Sequence, residues 1–358
     1  MTSPPPFVDL LIVGAGLSGL AAAAAAQRAG LDWRALEARD RVGGRALSQP
    51  GPEGRAVHDL GPAWIWPHDR RAQTLARRLG LGLFDQHAEG RLVFEDRDGA
   101  IRRDLDMAPM AGALRVDGGL GGLAEAASRD LPAERIALGA PVAGLRLAAD
   151  RVRATARDGR PLVEARRAIV ALPPRLAARL DWRPALPDAT LAALQGAPGW
   201  MAAKAKLVAI YDAPFWREAG LSGDAISHRG PLAEVHDASP ADAAEGALFG
   251  FVGLPPAARA ADAAGLKTVA IDQLVRLFGA QAGRPAKVLF KDWAQDPLSA
   301  APRDLAEPPR HPQGGPPRLS GPWSDRIVFA GSEHAEVSPG YVEGALAAGE
   351  AALAAARS

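Results

Sequence analysis

The chain has 358 residues, 48% of them hydrophobic and 23% charged, and a formal net charge of +1. That length suits two domains or one large domain carrying an insert, and the near-neutral balance gives no reason to expect nucleic acid or an anionic membrane as partner. The absence of cysteine excludes disulfides, thiolate metal sites, cysteine nucleophiles and a cysteinyl link to any cofactor. The longest apolar stretches, Leu10–Val13 and Ala21–Ala26, fall far short of the ~20 residues a membrane span needs. Met1–Pro6 has no export-signal pattern. A soluble cytoplasmic protein, monomer or homodimer, is the expectation.

Phe7–Val13 is a short apolar run ending in glycines and reads as a buried parallel strand. Leu17–Arg28 reads as a helix stopped by Gly30, and Leu31–Leu36 as a second strand, so the chain opens on a βαβ unit. Arg71–Leu81 has the pattern of an amphipathic helix, and Gly90–Arg103 that of a hairpin turning at Asp98-Gly99. Leu120–Arg129 is helical; Pro141–Leu147, Arg151–Ala156 and Pro161–Leu172 form a meander with a turn at Asp158-Gly159. Lys204–Tyr211, Ala247–Val252 and Lys287–Phe290 read as further strands, and Lys267–Phe278 as a helix. Pro302, Pro308, Pro309, Pro312, Pro316, Pro317 and Pro322 make the following segment irregular. Arg326–Ala330 is a last buried strand, followed by a helix from about Gly340 to Ala356. Such a strand, turn and helix can return to the N-terminal sheet and complete it.

Gly14-Ala15-Gly16-Leu17-Ser18-Gly19 lies between the first strand and the first helix. In a dinucleotide site the first glycine permits the tight turn, the second lets backbone approach the pyrophosphate, and the third lets helix and strand pack closely. The helix start offers free N–H groups and a positive dipole end to phosphate. Glu37 closes the second strand, where a carboxylate accepts from ribose hydroxyls. A lone motif of this kind is weak evidence, but strand, helix and acid agree here.

Arg39-Asp40-Arg41-Val42-Gly43-Gly44-Arg45 follows directly, and this element resembles the flavin-containing amine oxidase superfamily. Asp59-Leu60-Gly61-Pro62-Ala63-Trp64 resembles that family's segment beside the isoalloxazine, and Val116-Asp117-Gly118-Gly119 the turn re-entering the cofactor domain. Pro141-Val142 is similar to the strand that touches adenine, Ile169–Pro174 to the strand beside the cofactor, and Trp293–Pro297 to a W-x-x-D-P element. Phe329–Glu333 with Gly340–Ala345 resembles the C-terminal signature, in which Glu333 faces ribityl or phosphate and the helix start at Val342 faces the flavin. The resemblance implies FAD as cofactor. It implies FAD contacts from Gly14, Gly16, Leu17, Ser18, Gly19, Glu37, Ala38, Arg39, Gly43, Gly44 and Arg45, from Gly61, Pro62, Ala63, Trp64 and Val142, and from Gly331, Ser332, Glu333, Tyr341 and Val342. The expected fold is α/β (α+β): a Rossmann-type FAD-binding domain from residues 1–70, 113–195 and 293–358, with an inserted mixed-sheet substrate domain from 71–112 and 196–292.

The family also carries a lysine near flavin N5 on a strand ending in P-F-W. Lys206 stands eight residues before Pro214-Phe215-Trp216, with Lys204 on the same strand face as the alternative. Amine oxidases hold the substrate nitrogen between two aromatic rings. Tyr341 fits one position; the other falls at Pro302-Arg303, so a second wall has to come from elsewhere, with Trp64, Trp66 or Phe251 as candidates. Arg303 reads as a carboxylate clamp or a plain loop arginine. His228, Glu234 and His236 read as polar lining rather than a metal site, because their spacing is irregular. The first insert is too short for the helical bundle of larger relatives, which predicts a more open cavity. The implied reaction moves a hydride from an amine or amino-acid C–N bond to flavin, with O2 or a quinone as acceptor, since no second G-x-G-x-x-G offers a nicotinamide site. Alternatives are a flavin desaturase or dehydrogenase of C–C bonds, a renalase-like nicotinamide oxidase, and a non-catalytic flavin-binding assembly protein. Lys206 and Tyr341 weigh against the desaturase.

Overall fold

The computed structural model describes residues 5–54, 56–308 and 310–357; the first four residues and Pro309 lie outside these. Leu10, Leu11, Ile12 and Val13 are all buried, so the first strand, Phe7–Val13, presents apolar side chains on both faces. It pairs in parallel with Trp33–Leu36 on one side and with Pro161–Val170 on the other. The long Pro161–Val170 strand has two partners on its far edge: Arg151–Thr155 antiparallel along its first half, and Ile327–Phe329 parallel along its last three residues. Gly144–Ala148, Asp181–Arg183 and Ile136–Ala137 complete an eight-stranded sheet. The C-terminal strand therefore returns to the N-terminal sheet, as the sequence pattern implies.

The helices Leu17–Arg28 and Val342–Arg357 lie against each other over this sheet. Their approach depends on Gly349, where a Cβ would stand 2.1 Å from the Ser18 carbonyl oxygen. Leu20, Leu120, Leu123, Leu346 and Leu353 pack there with Leu10 and Ile12 from the sheet.

The second sheet runs Lys287–Asp292, Ala205–Tyr211, Gly246–Val252, Leu232–Asp237, Leu221–Ser227, Arg91–Glu95 and Ile101–Leu105. It is mixed, because Leu221–Ser227 runs parallel to Arg91–Glu95. Leu207, Ala209 and Leu248 face the helix Ala263–Phe278 through Leu266, Ala270 and Leu274. The opposite face, with Val208, Phe249 and Leu289, packs on Leu60, while Trp64 and Phe251 close its edge. That face seats the second sheet on the chain around the Ser48–Asp59 hairpin, through Leu47, Leu60 and Trp64.

Several elements escape the sequence pattern. Leu221–Ser227 and Leu232–Asp237 bury Ser222, Asp224, His236 and Asp237, so neither reads as an apolar or alternating run. The hairpin 48–59 and the antiparallel pair Leu83–Asp85 with Leu114–Val116 use strands of three residues. Val142 lies before the strand, which begins at Gly144. The second helix is Arg70–Arg78, shorter than Arg71–Leu81. Between residues 310 and 320 the chain is irregular, as its prolines require, but Pro302–Ala306 is helical with Pro302 at its first turn. Among the described residues no helix is long and apolar enough to cross a membrane.

Candidate active site

The three glycines of the first turn have separable roles. Gly14 has φ +98°, and a Cβ there would meet the Ala171 carbonyl oxygen at 2.8 Å. A Cβ on Gly19 would stand 1.9 Å from the Gly14 oxygen, so that glycine is required for strand–helix packing. Gly16 is different: its nearest neighbours to an added Cβ are Gly43 and Gly44, no closer than 3.9 Å. Packing does not require a glycine at 16; the bare backbone leaves a cradle for a group outside the protein. The helix beginning at Leu17 has no side-chain cap, which leaves its first N–H groups directed at that space. Ser18 spends its hydroxyl on the Ala330 carbonyl, tying this turn to the C-terminal motif.

Glu37 is buried, and its carboxylate accepts from Ala15 N at 2.7 Å and Arg39 N at 2.9 Å. The chain at 137–140 runs alongside, with Ala140 N donating to Glu37 O at 2.8 Å and Gly139 N to Arg39 O at 2.7 Å. Partly buried Val142 follows two residues later. Ala38, also partly buried, lies between Glu37 and Arg39. The Arg39 guanidinium is committed elsewhere: it forms a bidentate pair with Asp296 at 2.9 and 3.0 Å and donates to Ser299 Oγ. Arg41 turns back on its own loop, donating to the carbonyls of Val42, Gly44 and Ala46. The side chains of these two arginines brace the loop and its neighbours in this structure.

Arg45 reaches across to the C-terminal motif. It donates to Glu333 Oε1 at 2.6 Å and Oε2 at 3.1 Å, to Ser332 Oγ at 2.9 Å and to the Trp200 carbonyl at 2.9 Å. Ser332 Oγ in turn donates to Glu333. Burial opposes ionisation of Glu333, but the charge and hydrogen bonds of Arg45 prevail and lower its pKa. Gly331 crosses the Leu172 backbone, where a Cβ would lie 2.4 Å from that carbonyl oxygen. Val342 begins the last helix and is buried.

Lys206 is fully enclosed, and its Nζ donates to the Gly61 carbonyl. A Cβ on Gly61 would stand 2.0 Å from the Arg45 carbonyl oxygen, so the glycine permits that crossing. Pro62, Ala63 and Trp64 continue the segment, with Ala63 buried. Strand pairing sets Lys206 opposite Phe251 and Val208 opposite Phe249; Nζ lies 5.6 and 5.9 Å from the two ring centres. Burial lowers the Lys206 pKa to about 7, with Asp59 opposing the shift and Arg45 adding to it. Lys204 lies just before the strand and is partly buried, whereas Lys206 lies within it and is buried.

Trp64 packs edge-on against Phe249 at 5.2 Å and His236 at 5.3 Å, and lies 6.2 Å from Phe251. His236 is held by buried Asp224 at 2.9 Å, with Glu234 at 3.7 Å. Burial works against the imidazolium, but these carboxylates raise its pKa overall. His228 is exposed beside Phe94, and no group able to hold a metal ion occurs among the described residues. Tyr341 is not beside Trp64, Trp66 or Phe251. Its aromatic neighbours are Trp200 at 6.0 Å and His311 at 5.4 Å, and those two rings lie 4.5 Å apart. Sequence reasoning missed both; the available signal was Gly340, whose missing side chain lets the Trp200 ring lie on the backbone. Arg303 lies on the short helix Pro302–Ala306 rather than in a loop, and its guanidinium is tied to Glu307 and to the Gln195 carbonyl.

Residues 97–356 match the sequence model for flavin containing amine oxidoreductase, and residues 12–79 match that for an NAD(P)-binding Rossmann-like domain. The chain belongs to the flavin-containing amine oxidoreductase family. It is an FAD-dependent oxidoreductase. The flavin-containing monoamine oxidase AofH of Mycobacterium tuberculosis is 27% identical over 99% of this chain and 97% of its own. Amine oxidase [flavin-containing] B of Sus scrofa is 26% identical over 96% and 85%, respectively. A putrescine oxidase triple mutant superposes with a TM-score of 0.84 and 25% identity over 99% of this chain and 100% of that one. The cyclohexylamine oxidase of Brevibacterium oxydans, at 22% identity and TM-score 0.82 over 98% and 99%, shares the fold. The AofH alignment spans 464 positions against the 358 residues here, so this amine oxidoreductase carries the family fold with shorter insertions.

Proposed function

We propose that this oxidoreductase oxidises the C–N bond of an amine, with molecular oxygen or a quinone taking up the electrons. The observation that carries the reading is the buried Lys206 donating to Gly61 within the aromatic floor of Phe249 and Phe251. An unpaired lysine in that setting is costly unless it has a role. FAD, when bound, supplies the hydride acceptor. The uncapped turn at Leu17, Ser18 and Gly19 would receive its pyrophosphate over Gly16, Gly43 and Gly44, with Glu37 accepting from ribose hydroxyls. Arg45 and Glu333 hold each other so that polar atoms on the 331–333 turn stay oriented toward the cofactor. The chain has no cysteine and so forms no cysteinyl link to the flavin; the binding proposed is non-covalent.

In this reading Lys206, with a pKa of about 7, holds or releases a proton at Nζ beside Gly61. Tyr341 and Trp200 form the wall that receives the apolar part of the substrate. The sheet carrying Lys206 and the segments 71–112 and 196–292 constitute the substrate domain; the remaining residues, 1–70, 113–195 and 293–358, constitute the FAD domain. Arg303 being occupied by Glu307 favours amines over amino acids. The protein is proposed to work in the cytoplasm.

The test is the absorbance spectrum of the purified protein, then anaerobic bleaching of the flavin band by a panel of amines, amino acids and nicotinamides. Bleaching by amines, with peroxide formed on aeration, is the expected result. A colourless protein that FAD does not reconstitute, or a flavin bleached by nicotinamides alone, overturns the reading.

A further inference from the structure

Away from Lys206 and Tyr341, a surface cavity of about 390 Å³ lies among the helices Leu17–Arg28, Arg70–Arg78 and Val342–Arg357. Its floor is apolar. Leu17, Leu20, Ala21 and Ala24 fall on one face of the first helix, and Leu75 and Leu346 face them from the other two. The two alanines are short, and the space above them is what remains open.

The rim is basic: Arg28, Arg70, Arg71 and Arg78 all line the cavity. Arg71 is paired with Glu343 and Glu350, and Arg78 with Asp130. Arg28 and Arg70 are exposed, and no side-chain hydrogen bond or ion pair joins either to another of the described residues. Glu350 is the one carboxylate in the lining, and Arg71 already holds it. The cavity therefore offers two uncommitted guanidinium groups at the edge of a greasy floor.

We propose that this cavity binds a single-chain anionic amphiphile, an alkyl carboxylate of medium length. The alkyl chain would lie over Ala21 and Ala24 and the head group would meet Arg28 and Arg70. Several observations favour this occupant. The volume is that of a small-molecule site, and its lining divides between an apolar floor and a charged rim, the arrangement an amphiphile needs. A guanidinium is a planar fork suited to carboxylate, and more weakly hydrated than an ammonium. The surplus of positive charge on the rim discriminates against cationic and neutral amphiphiles, which the floor alone would accept equally. None of the lining side chains belongs to the proposed substrate wall, so occupancy can be measured apart from turnover.

The experiment is isothermal titration calorimetry of the FAD-loaded protein with decanoate below its micelle concentration, with decyltrimethylammonium, decanol and sulfate as controls. Decanoate is expected to bind at a single saturable site, to raise the melting temperature, and to outcompete each control. The double variant Arg28→Glu/Arg70→Glu, both positions being exposed, should weaken decanoate at least tenfold. Ala24→Trp, which fills the floor and leaves the rim intact, should abolish saturable binding. Binding that survives either change, equal affinity for decyltrimethylammonium, sulfate binding as tight as decanoate, or no saturable binding of decanoate overturns the assignment.

Discussion

The burial of Lys206 makes a prediction about stability as well as chemistry. The difference between 10.5 and the about 7 found for this ammonium corresponds to ~5 kcal/mol of penalty on the charged form in the fold. In the unfolded chain the lysine keeps its proton to about pH 10.5, whereas in the fold it releases it near pH 7. Below that window both states are protonated and the full penalty applies. Within it the unfolded state binds more protons, so stability rises with pH. Methionine at position 206 fills similar volume, carries no charge and abolishes this dependence. Urea unfolding of the FAD-free protein, wild type against Lys206→Met, should show the variant ahead by a few kcal/mol at about pH 6, with the gap shrinking toward zero or reversing at about pH 10. In turnover, the inflection near pH 7 in the wild-type profile should vanish in the variant. A gap that stays constant to within ~1 kcal/mol across the range would refute the argument that the lysine is desolvated in the fold.

Arg45→Ala leaves the Glu333 carboxylate buried without its partner, at an expected cost of about 3–5 kcal/mol; unfolding curves and FAD retention through gel filtration should both record it. Gly349→Ala places a Cβ 2.1 Å from the Ser18 carbonyl oxygen and must push the first and last helices apart. Loss of about 1–3 kcal/mol is expected by denaturation, and an unchanged midpoint would contradict the helix contact. Trp200→Ala should raise KM for apolar amines about tenfold with little change in kcat or in the flavin spectrum, as loss of apolar contact to substrate predicts. Gly340→Ala should produce the same KM change by displacing Trp200, whose ring atoms an added Cβ would meet at 2.8 Å.

What the sequence made legible follows from where chemistry imposes local pattern. The opening βαβ unit, Glu37 and the returning strand Ile327–Phe329 all carry backbone or burial requirements that show in a few consecutive residues. Lys206 stood out as a cation in an otherwise apolar strand eight residues before Pro214-Phe215-Trp216, and it is buried there. Leu221–Ser227 was not, since its buried polar groups rely in part on partners from other strands, such as His236 for Asp224 and Glu95 for Ser227. The helix Ala263–Phe278 starts four residues before its apolar pattern does, because Asp262 caps it by accepting from Gly265 N at 2.7 Å. The Asp262 cap is a local signal that the apolar pattern alone passes over, whereas partners from other strands leave no local trace.

The aromatic wall shows the same limit from the side of function. Counting from Trp293 leads to Pro302 and Arg303, and Arg303 is drawn away by Glu307 and the Gln195 carbonyl. Yet Tyr341 does not stand alone. Arg45 holds the Trp200 carbonyl while holding Glu333, and Gly340, at φ +85°, offers bare backbone for the Trp200 ring to lie on. An arginine from the cofactor motif and a glycine from the C-terminal motif thus fix a tryptophan that belongs to neither. The ring lies within 6.0 Å of Tyr341 although 141 positions separate them in the chain. The proposed substrate wall, assembled this way, is constrained through Arg45 and Gly340, so changes at those two positions should alter substrate selection even where FAD is retained.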